Sequence, residues 1–304
     1  MPGKTLGIAG TAKNTGKTTT LTTILQEVDR FDLTVGITGI GYDGEEKDNV
    51  TGLPKPRVNL KPGQYLVTTR RCLQAGTAGY RILAETEMMT PLGKLVYARI
   101  QKEGLVVVAG PSRTSQLERV IKDLEAFGCS LILVDGALNR LAPLIAAEGL
   151  ILATGAARYQ EPDRLVEETE AISRILDLPV RKDAEDFLTP PLPFIVDSRD
   201  LQVLADSLKK DVPGIFLPGL IATSCWGSLV DLLLAQERIK QLLFPDPLRL
   251  LVSGEPLVPF NHFQRLEKEG FEIWVQRKPS LLAITLNPFY PLYRQSSGAY
   301  APAY

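Results

Sequence analysis

The sequence has little of what several common kinds of functional site require. It contains a single histidine, His262, and only three cysteines, Cys72, Cys129 and Cys225, which lie far apart along the chain. One histidine is too few for a histidine-based zinc site and gives a Ser-His-Asp triad little support, so we expect His262 to have a surface or capping role. Three scattered cysteines do not make a disulfide framework. They favour reduced thiols in a cytoplasmic protein.

The chain also lacks an excess of one charge and lacks long apolar runs. Lys and Arg number 34 and Asp and Glu number 35, which leaves no electrostatic footprint for nucleic acid or a membrane surface. No run approaches the ~20 apolar residues of a membrane span. The first predicted strand begins almost at the N-terminus, without an export segment before it. We therefore expect a cytoplasmic protein that binds neither nucleic acid nor membrane.

The most informative stretch is residues 5–25, where an apolar strand is followed by a Gly/Thr-rich turn and a helix. The helix opens with Gly16-Lys17-Thr18. Such a turn offers backbone N–H groups and the positive end of a helix to a phosphate. In the pattern G-x-x-x-x-G-K-[ST], Lys17 would contact the β- and γ-phosphates and Thr18 would bind Mg²⁺. The stretch predicts a phosphate-binding loop; the alternative is a chance Gly-Lys-Thr in a turn.

The predicted loop departs from the pattern at one position. The first glycine is expected at position 11, where the chain has Thr11, and Gly10 stands one place earlier. The residues predicted to bind the nucleotide are Gly10, Thr11, Ala12, Lys13, Asn14, Thr15, Gly16, Lys17, Thr18, Thr19 and Gly136.

A second signal is the apolar strand predicted at residues 130–134, which is followed directly by Asp135 and Gly136. A carboxylate at the end of such a strand can reach the Mg²⁺ held by Thr18, as in a Walker B element. Gly136 would leave room for the γ-phosphate and offer a backbone N–H. The alternative is an ordinary Asp-Gly turn. We expect Thr18 and Asp135 to be the metal ligands, and Lys17 and Asp135 to act in catalysis.

A third candidate for catalysis is Asp43, just after the strand predicted at residues 33–40. Parallel α/β sheets bind ligands at the carboxyl ends of their strands, so Asp43 would complete the Mg²⁺ shell or position a water. A turn aspartate is the alternative. Residues 45–63 are polar and rich in Pro and Gly, which predicts a long loop acting as a switch or lid.

Three further features concern charge and helix capping. Arg113 follows the strand predicted at residues 105–109 and would supply additional positive charge at the site. Ser115 and Glu118 have the spacing of a capping box at the start of a helix. Arg70 and Arg71 would contact a phosphate or an acidic substrate, or be solvated surface residues.

Strands and helices alternate along the first half of the chain, which predicts an α/β fold with a doubly wound, mostly parallel sheet. An antiparallel insertion is expected at about residues 64–100. The composition becomes charged and Pro-rich near residue 180, so we expect a P-loop nucleotide-binding domain at 1–180 and a smaller α/β domain at 181–304. The strands predicted in the second domain are 194–197, 215–221, 248–252, 272–276 and 281–286. The helices predicted there are 201–209, 228–244 and 259–268, and no element is predicted at 290–304.

At residues 10–19 and 131–136 the sequence resembles the P-loop NTPases of the SIMIBI group. This group includes dethiobiotin synthetase, the molybdopterin-guanine-dinucleotide-associated GTPase and the ParA-like ATPases. Its members often have a second lysine, just after the first glycine of the loop, that contacts the partner's nucleotide across a dimer. Ala12 occupies that place here and Lys13 follows it. The resemblance implies nucleotide binding and a homodimer.

Residues 10–17, 134–138 and 284–288 also resemble motifs of the P-loop proteins that accompany cobalamin-dependent lysine or ornithine aminomutases. This resemblance implies a protein partner and a role in reactivating it.

These signals together predict an Mg²⁺-dependent nucleoside triphosphatase whose turnover changes its grip on a protein partner. One alternative is an ATP-dependent small-molecule ligase or kinase that resembles dethiobiotin synthetase. Another is a nucleotide-binding regulator without turnover. The Asn-Lys-x-Asp pattern that reads guanine is absent, which favours ATP over GTP.

Overall fold

The computed structural model describes residues 3–41, 58–137, 141–208, 212–290, 292–294 and 300–302. The strands are β1 (Lys4–Gly10), β2 (Val35–Gly39), β3 (Val58–Leu60), β4 (Tyr65–Thr69), β5 (Gly79–Thr90), β6 (Gly93–Lys102), β7 (Gly104–Val106), β8 (Leu131–Ala137), β9 (Gly149–Gly155), β10 (Phe187–Leu188), β11 (Gly214–Phe216), β12 (Gln241–Phe244), β13 (Glu272–Val275), β14 (Ser280–Asn287), β15 (Leu292–Arg294) and β16 (Tyr300–Pro302). The helices are α1 (Lys17–Val28), α2 (Arg70–Ala75), α3 (Thr114–Ala126), α4 (Pro162–Leu176), α5 (Ser198–Ser207), α6 (Trp226–Leu234), α7 (Leu248–Leu251) and α8 (Leu257–Lys268).

The chain forms two compact units. The first comprises Met1–Gln160 and Leu282–Tyr304, and the second comprises Glu161–Leu281. The expected boundary between residues 180 and 181 lies inside the second unit, because α4 packs against α7 and α8 of that unit. Strand β14 brings the chain back to the first unit.

The first unit is built on an eight-stranded sheet with the order β14-β9-β1-β8-β2-β4-β6-β5. Strands β9, β1, β8, β2 and β4 are parallel, whereas β6 and β5 are antiparallel to their neighbours. The predicted α/β fold with a large, mostly parallel sheet is confirmed. The expected antiparallel insertion is an extension of this same sheet, because β4 pairs with β2 in parallel and with β6 in antiparallel.

Helix α1 docks on the centre of this sheet. Leu21, Leu25 and Val28 repeat at helical spacing and are buried. They join Ile8 of β1 and Leu133 of β8 in one apolar cluster. Threonine is a poor helix former, so the Thr-rich first turns of α1 depend on this packing for stability.

Three predictions for the first unit are wrong. Residues 105–109 do not form a buried strand: β7 ends at Val106, pairs antiparallel with β3 outside the large sheet, and leaves Leu105 39% exposed. Part of the loop expected at residues 45–63 is strand β3. The capping box does not form, because α3 begins at Thr114 with Arg113 as an N-cap residue that makes no side-chain capping bond.

Two further predictions fall on or beside residues that the structure does not describe. Asp43 and most of the loop predicted at 45–63 lie outside the described residues. The C-terminal tail, expected to form no element, contains the antiparallel pair β15 and β16.

The second unit contains a four-stranded, all-parallel sheet with the order β10-β11-β12-β13. The predicted helix 228–244 is wrong, because α6 ends at Leu234 and β12 follows it. The predicted strand 248–252 is also wrong, because α7 starts there. Its start is stabilised by the buried carboxylate of Asp246, which accepts a hydrogen bond from the Arg249 N–H at 3.0 Å. Short apolar runs do not distinguish a strand from a helix by periodicity.

Several residues noted for their scarcity are packing residues. All three cysteines are free and buried, and burial raises the pKa of the Cys129 thiol to about 12. His262 lies inside α8 and stacks on Trp226 with ring centroids 6.0 Å apart, so it does not cap a helix. Burial and the nearby Arg265 lower its pKa. Among the described residues, no helix is long and apolar enough to cross a membrane.

Candidate functional site

The loop between β1 and α1 turns through two residues in the left-handed region. Asn14 has φ 61° and Gly16 has φ 89°. Gly16 is the N-cap of α1, and because it has no side chain to cap the helix it leaves the first N–H groups of α1 to another acceptor. The positive end of the helix dipole lies at the same place. The local geometry therefore suits an anion.

Threonines hold this loop in place. The Thr15 hydroxyl donates to the carbonyl of Ala12 at 3.0 Å. The hydroxyls of Thr11 and Thr154 lie 2.9 Å apart and share a hydrogen bond, and the Thr11 N–H donates to the Ala153 carbonyl at 2.9 Å. Thr11 and Thr15 are both buried. Thr11, which replaces the expected glycine, thus ties the loop to β9.

Lys17 and Asp135 meet at the base of the loop. Strands β1 and β8 pair so that Ile8 lies opposite Asp135. The Lys17 Nζ is 3.2 Å from the Asp135 Oδ1, and the two side chains are 19% and 24% exposed. The Ile40 N–H donates to the Asp135 carbonyl at 2.8 Å, which fixes the end of β8 beside the end of β2. The predicted lysine and carboxylate are therefore brought together.

The other predicted residues vary in their placement. Thr18, the second residue of α1, is partly exposed, whereas Lys13, Asn14 and Thr19 are exposed. A Cβ added at Gly136 would lie 3.1 Å from a methyl group of Leu144, so close packing accounts for this glycine. Its contact with a γ-phosphate stays a prediction.

A further segment reaches the same edge of the sheet. The Gly110 N–H donates to the Gly41 carbonyl at 2.9 Å, and the Gly41 N–H donates to the Pro111 carbonyl at 3.0 Å. A Cβ at Gly110 would lie 1.9 Å from the Gly39 carbonyl oxygen, so this approach requires glycine. Residues 107–111 thus run beside the end of β2 although they form no strand. Arg113, which follows them, is exposed.

The arginine pair lies on the surface. Arg70 forms an exposed ion pair with Glu85 of β5, and Arg71 is exposed in α2. The placement favours solvated surface arginines over a phosphate contact.

The residues that the sequence reasoning missed come from β14. The Asn287 Nδ2 donates to the Asn14 carbonyl at 2.9 Å. The hydroxyls of Thr285 and Thr20 lie 3.0 Å apart and share a hydrogen bond. Periodicity and local spacing carry no signal for contacts between such distant parts of the chain. The resemblance of residues 284–288 to a family motif was the only pointer to this segment.

The residues at the site fit Mg²⁺ that arrives with a nucleotide. The described residues contain no group of three His, Cys, Asp or Glu side chains that could hold a metal by themselves. The Asp135 carboxylate and the Thr18 hydroxyl are oxygen ligands of the kind Mg²⁺ prefers, and Mg²⁺ commonly takes its other ligands from phosphates and water.

Comparison with known proteins adds a weak likeness. No protein-family model matches the chain, and no curated protein matches it significantly. Two similar solved structures are of cobyrinic acid a,c-diamide synthase from Mycobacterium smegmatis, one with ADP and magnesium and one with an ATP analogue and magnesium. Both are 13% identical to this chain in sequence. The matched region covers 86% of this chain and, respectively, 95% and 96% of the two solved chains, with TM-scores of 0.29 and 0.28. A likeness at this level supports no conclusion about function.

Proposed function

We propose that this chain binds a nucleoside triphosphate with Mg²⁺ at the loop formed by residues 10–19, and hydrolyses it. One observation carries the proposal. Lys17, the first residue of α1, places its Nζ 3.2 Å from the Asp135 carboxylate, near the end of the adjacent parallel strand β8 and below a loop whose helix N-terminus suits an anion.

The Lys17–Asp135 ion pair suggests how the site responds to a nucleotide. The structure holds the two opposite charges 3.2 Å apart. A phosphate bound in the loop would compete with the carboxylate for Lys17, and Asp135 would then be available for the metal shell. Thr18 and Asp135 would hold Mg²⁺, which neutralises charge on the phosphates. A charged lysine contact contributes about 1.5–3 kcal/mol to such binding.

Hydrolysis requires little covalent chemistry from the protein. Phosphoryl transfer to water depends mainly on positioning and on neutralising charge in the transition state. Lys17, Thr18 and the α1 N-terminus serve these needs, and Asp135 supports them through the metal. Asp43, predicted to position a water, lies outside the described residues.

The proposals about the base of the nucleotide, the protein partner and the oligomeric state rest on the sequence alone. Absence of the guanine-reading pattern favours ATP. The motif resemblance favours a cobalamin-dependent aminomutase as the protein partner, and the resemblance to dimeric NTPases favours a homodimer. A change in the grip on such an enzyme as the nucleotide is hydrolysed is the expected behaviour.

The test is phosphate release by the purified chain with ATP or GTP, with and without Mg²⁺. Release with water alone, dependent on Mg²⁺ and reduced in an Asp135→Asn variant, is the predicted result. Nucleoside diphosphate formed only after a metabolite is added would favour a ligase, which also releases phosphate, or a kinase, which transfers the phosphate to the metabolite. Binding without any release would favour a regulator.

A further inference from the structure

We infer that Asn287, the last residue of β14, is a positioning residue that holds the phosphate-binding loop in its anion-binding form. That the loop binds a phosphate rests on the proposed function. That Asn287 holds the loop in place rests on contacts within the first unit alone.

Both ends of the Asn287 side-chain amide are used. Its Nδ2 donates to the Asn14 carbonyl at 2.9 Å, and its Oδ1 accepts from the Phe289 N–H at 3.2 Å. A carbonyl only accepts and a backbone N–H only donates, so these two partners fix which way the amide points. An aspartate could keep the bond to Phe289, but it would place an oxygen against the Asn14 carbonyl.

The bond to Asn14 acts at a left-handed point of the loop. Asn14 is the only described residue other than glycine with a positive φ, a conformation that asparagine adopts more readily than most residues with a side chain. In a trans peptide the C=O of Asn14 and the N–H of Thr15 point in opposite directions. Holding the carbonyl toward Asn287 therefore turns the Thr15 N–H away from β14. An anion-binding loop needs this arrangement, with carbonyls outside and N–H groups inside.

Asn287 is itself held firmly. Its carbonyl accepts from the Ala156 N–H at 2.9 Å, just after β9. A Cβ at Gly155 would lie 2.0 Å from that carbonyl oxygen, and a Cβ at Gly16 would lie 3.2 Å from the Asn287 Cβ. Both glycines permit the close approach of β14 to the loop. A residue on a rigid strand can define a loop more sharply than a residue on another loop.

Thr285 adds a second contact on the same face of β14. It is two residues before Asn287, so the two side chains point to the same side of the strand. Its hydroxyl shares a hydrogen bond with Thr20, whose own hydroxyl also lies 3.1 Å from the Gly16 carbonyl. Strand β14 therefore contacts both the loop and the first turn of α1.

The competing explanation is that Asn287 only stabilises the turn to Phe289, as Asn side chains commonly do. Asn287→Asp separates the two roles, because it keeps an acceptor for the Phe289 N–H and loses the donor to Asn14. Asn287→Leu removes the donor without adding charge. Leu286→Ala is the matched control, because Leu286 is 65% exposed and points to the opposite face of β14.

The ligand-free protein gives the first measurement. We expect the amide NMR signals of Thr15 and Gly16 to shift or broaden in Asn287→Asp and Asn287→Leu, and to match the wild type in Leu286→Ala. Wild-type signals at these positions in Asn287→Asp, with an unchanged thermal unfolding midpoint, would overturn the inference. If Asn287→Leu fails to fold, Asn287→Asp decides, because it preserves the size of the side chain.

Calorimetric titration gives the second measurement, with Mg·ATP and with tripolyphosphate, which has no base. We expect the affinity for both ligands to be about tenfold weaker in Asn287→Leu, because one hydrogen bond that orders the loop is lost. A loss for ATP alone would mean that Asn287 contacts the nucleoside, and would overturn the inference. If the wild type binds neither probe, the proposed function fails, while the NMR comparison still decides the role of Asn287.

Discussion

At the scale of single residues, the proposed site contains an ion pair that a bound nucleotide would rearrange. Lys17 and Asp135 are 19% and 24% exposed, so their charges are only partly screened by water. If the proposed function holds, Lys17 would bind phosphate and the Asp135 carboxylate would bind the metal in place of each other. Removing the carboxylate should therefore affect turnover and binding differently.

The first residue-scale prediction concerns Asp135→Asn. We expect hydrolysis to fall by roughly 100-fold or more, because the metal shell loses its charged ligand. Affinity for Mg·ATP should fall by less than about tenfold, because the loop and Lys17 still hold the phosphates. Phosphate release measures hydrolysis and calorimetry measures affinity. Asp32 is exposed, so Asp32→Asn serves as the control. Turnover equal to that of the wild type would show that Asp135 takes no part in hydrolysis.

The second residue-scale prediction concerns pH. Tyr97 is buried and donates to the Asp123 Oδ2 at 2.6 Å, and burial together with this bond raises its pKa above the ordinary value. The folded state then keeps the proton while the unfolded chain loses it above about pH 10. The resulting stabilisation is present below that pH and is lost as the pH rises through the folded pKa. We expect the free energy of unfolding, measured with urea, to fall less between about pH 8 and about pH 11 in Tyr97→Phe than in the wild type. An identical loss in both proteins would contradict the assignment.

At the scale of elements, the site is assembled where the ends of β1, β8 and β9 meet the end of β14. Leu282 lies beside Gly149 and Asn287 lies beside Gly155, so β14 runs in the same direction as β9. The same ends of the parallel strands then carry the loop, the carboxylate and Asn287.

An element-scale prediction tests this junction. In Gly155→Ala the new Cβ would lie 2.0 Å from the Asn287 carbonyl oxygen, so β14 must move away from β9. We expect a lower thermal unfolding midpoint and nucleotide binding weakened by about tenfold or more, because overpacking forces backbone shifts. Gly227→Ala, in α6 with open space around it, is the control and should raise stability slightly. A Gly155→Ala variant with wild-type affinity would show that this contact does not shape the loop.

Local sequence signals predicted the elements nearest the site and failed where contacts are distant. The strand, loop and helix at residues 5–25 carry their own chemistry, and Asp135 directly follows an apolar run at residues 131–134. The partner Asn287 could not be predicted from spacing, because its contact with Asn14 bridges most of the chain. The errors at 228–244 and 248–252 have another cause: leucine-rich runs suit both a helix and a buried strand, and the neighbouring elements decide between them.

At the scale of the whole molecule, the described site residues all belong to the first unit, whereas both tryptophans belong to the second. Trp226 and Trp274 lie within Glu161–Leu281. Tryptophan emission therefore reports on the unit that does not contain the described site residues.

This separation gives a prediction for the full chain. A ligand that binds only the folded site stabilises it by mass action, by about 2.7 kcal/mol at a hundredfold excess over Kd. We expect Mg·ATP to raise the midpoint temperature of a calorimetric unfolding transition. The midpoint temperature of the transition followed by tryptophan emission should change little. Equal shifts in both would show that the two units unfold together or that the nucleotide also stabilises the second.

The most direct test of the central claim is calorimetric titration of the wild type, Lys17→Ala and Lys122→Ala with ATP and with GTP in the presence of Mg²⁺. Lys122 is an exposed lysine of α3 and serves as the matched control. We predict saturable binding to the wild type, the same affinity in Lys122→Ala, and affinity about 10- to 100-fold weaker in Lys17→Ala, as expected for loss of a charged contact to phosphate. Unchanged affinity of a folded Lys17→Ala for both nucleotides would contradict the assignment of residues 10–19 as the phosphate-binding loop.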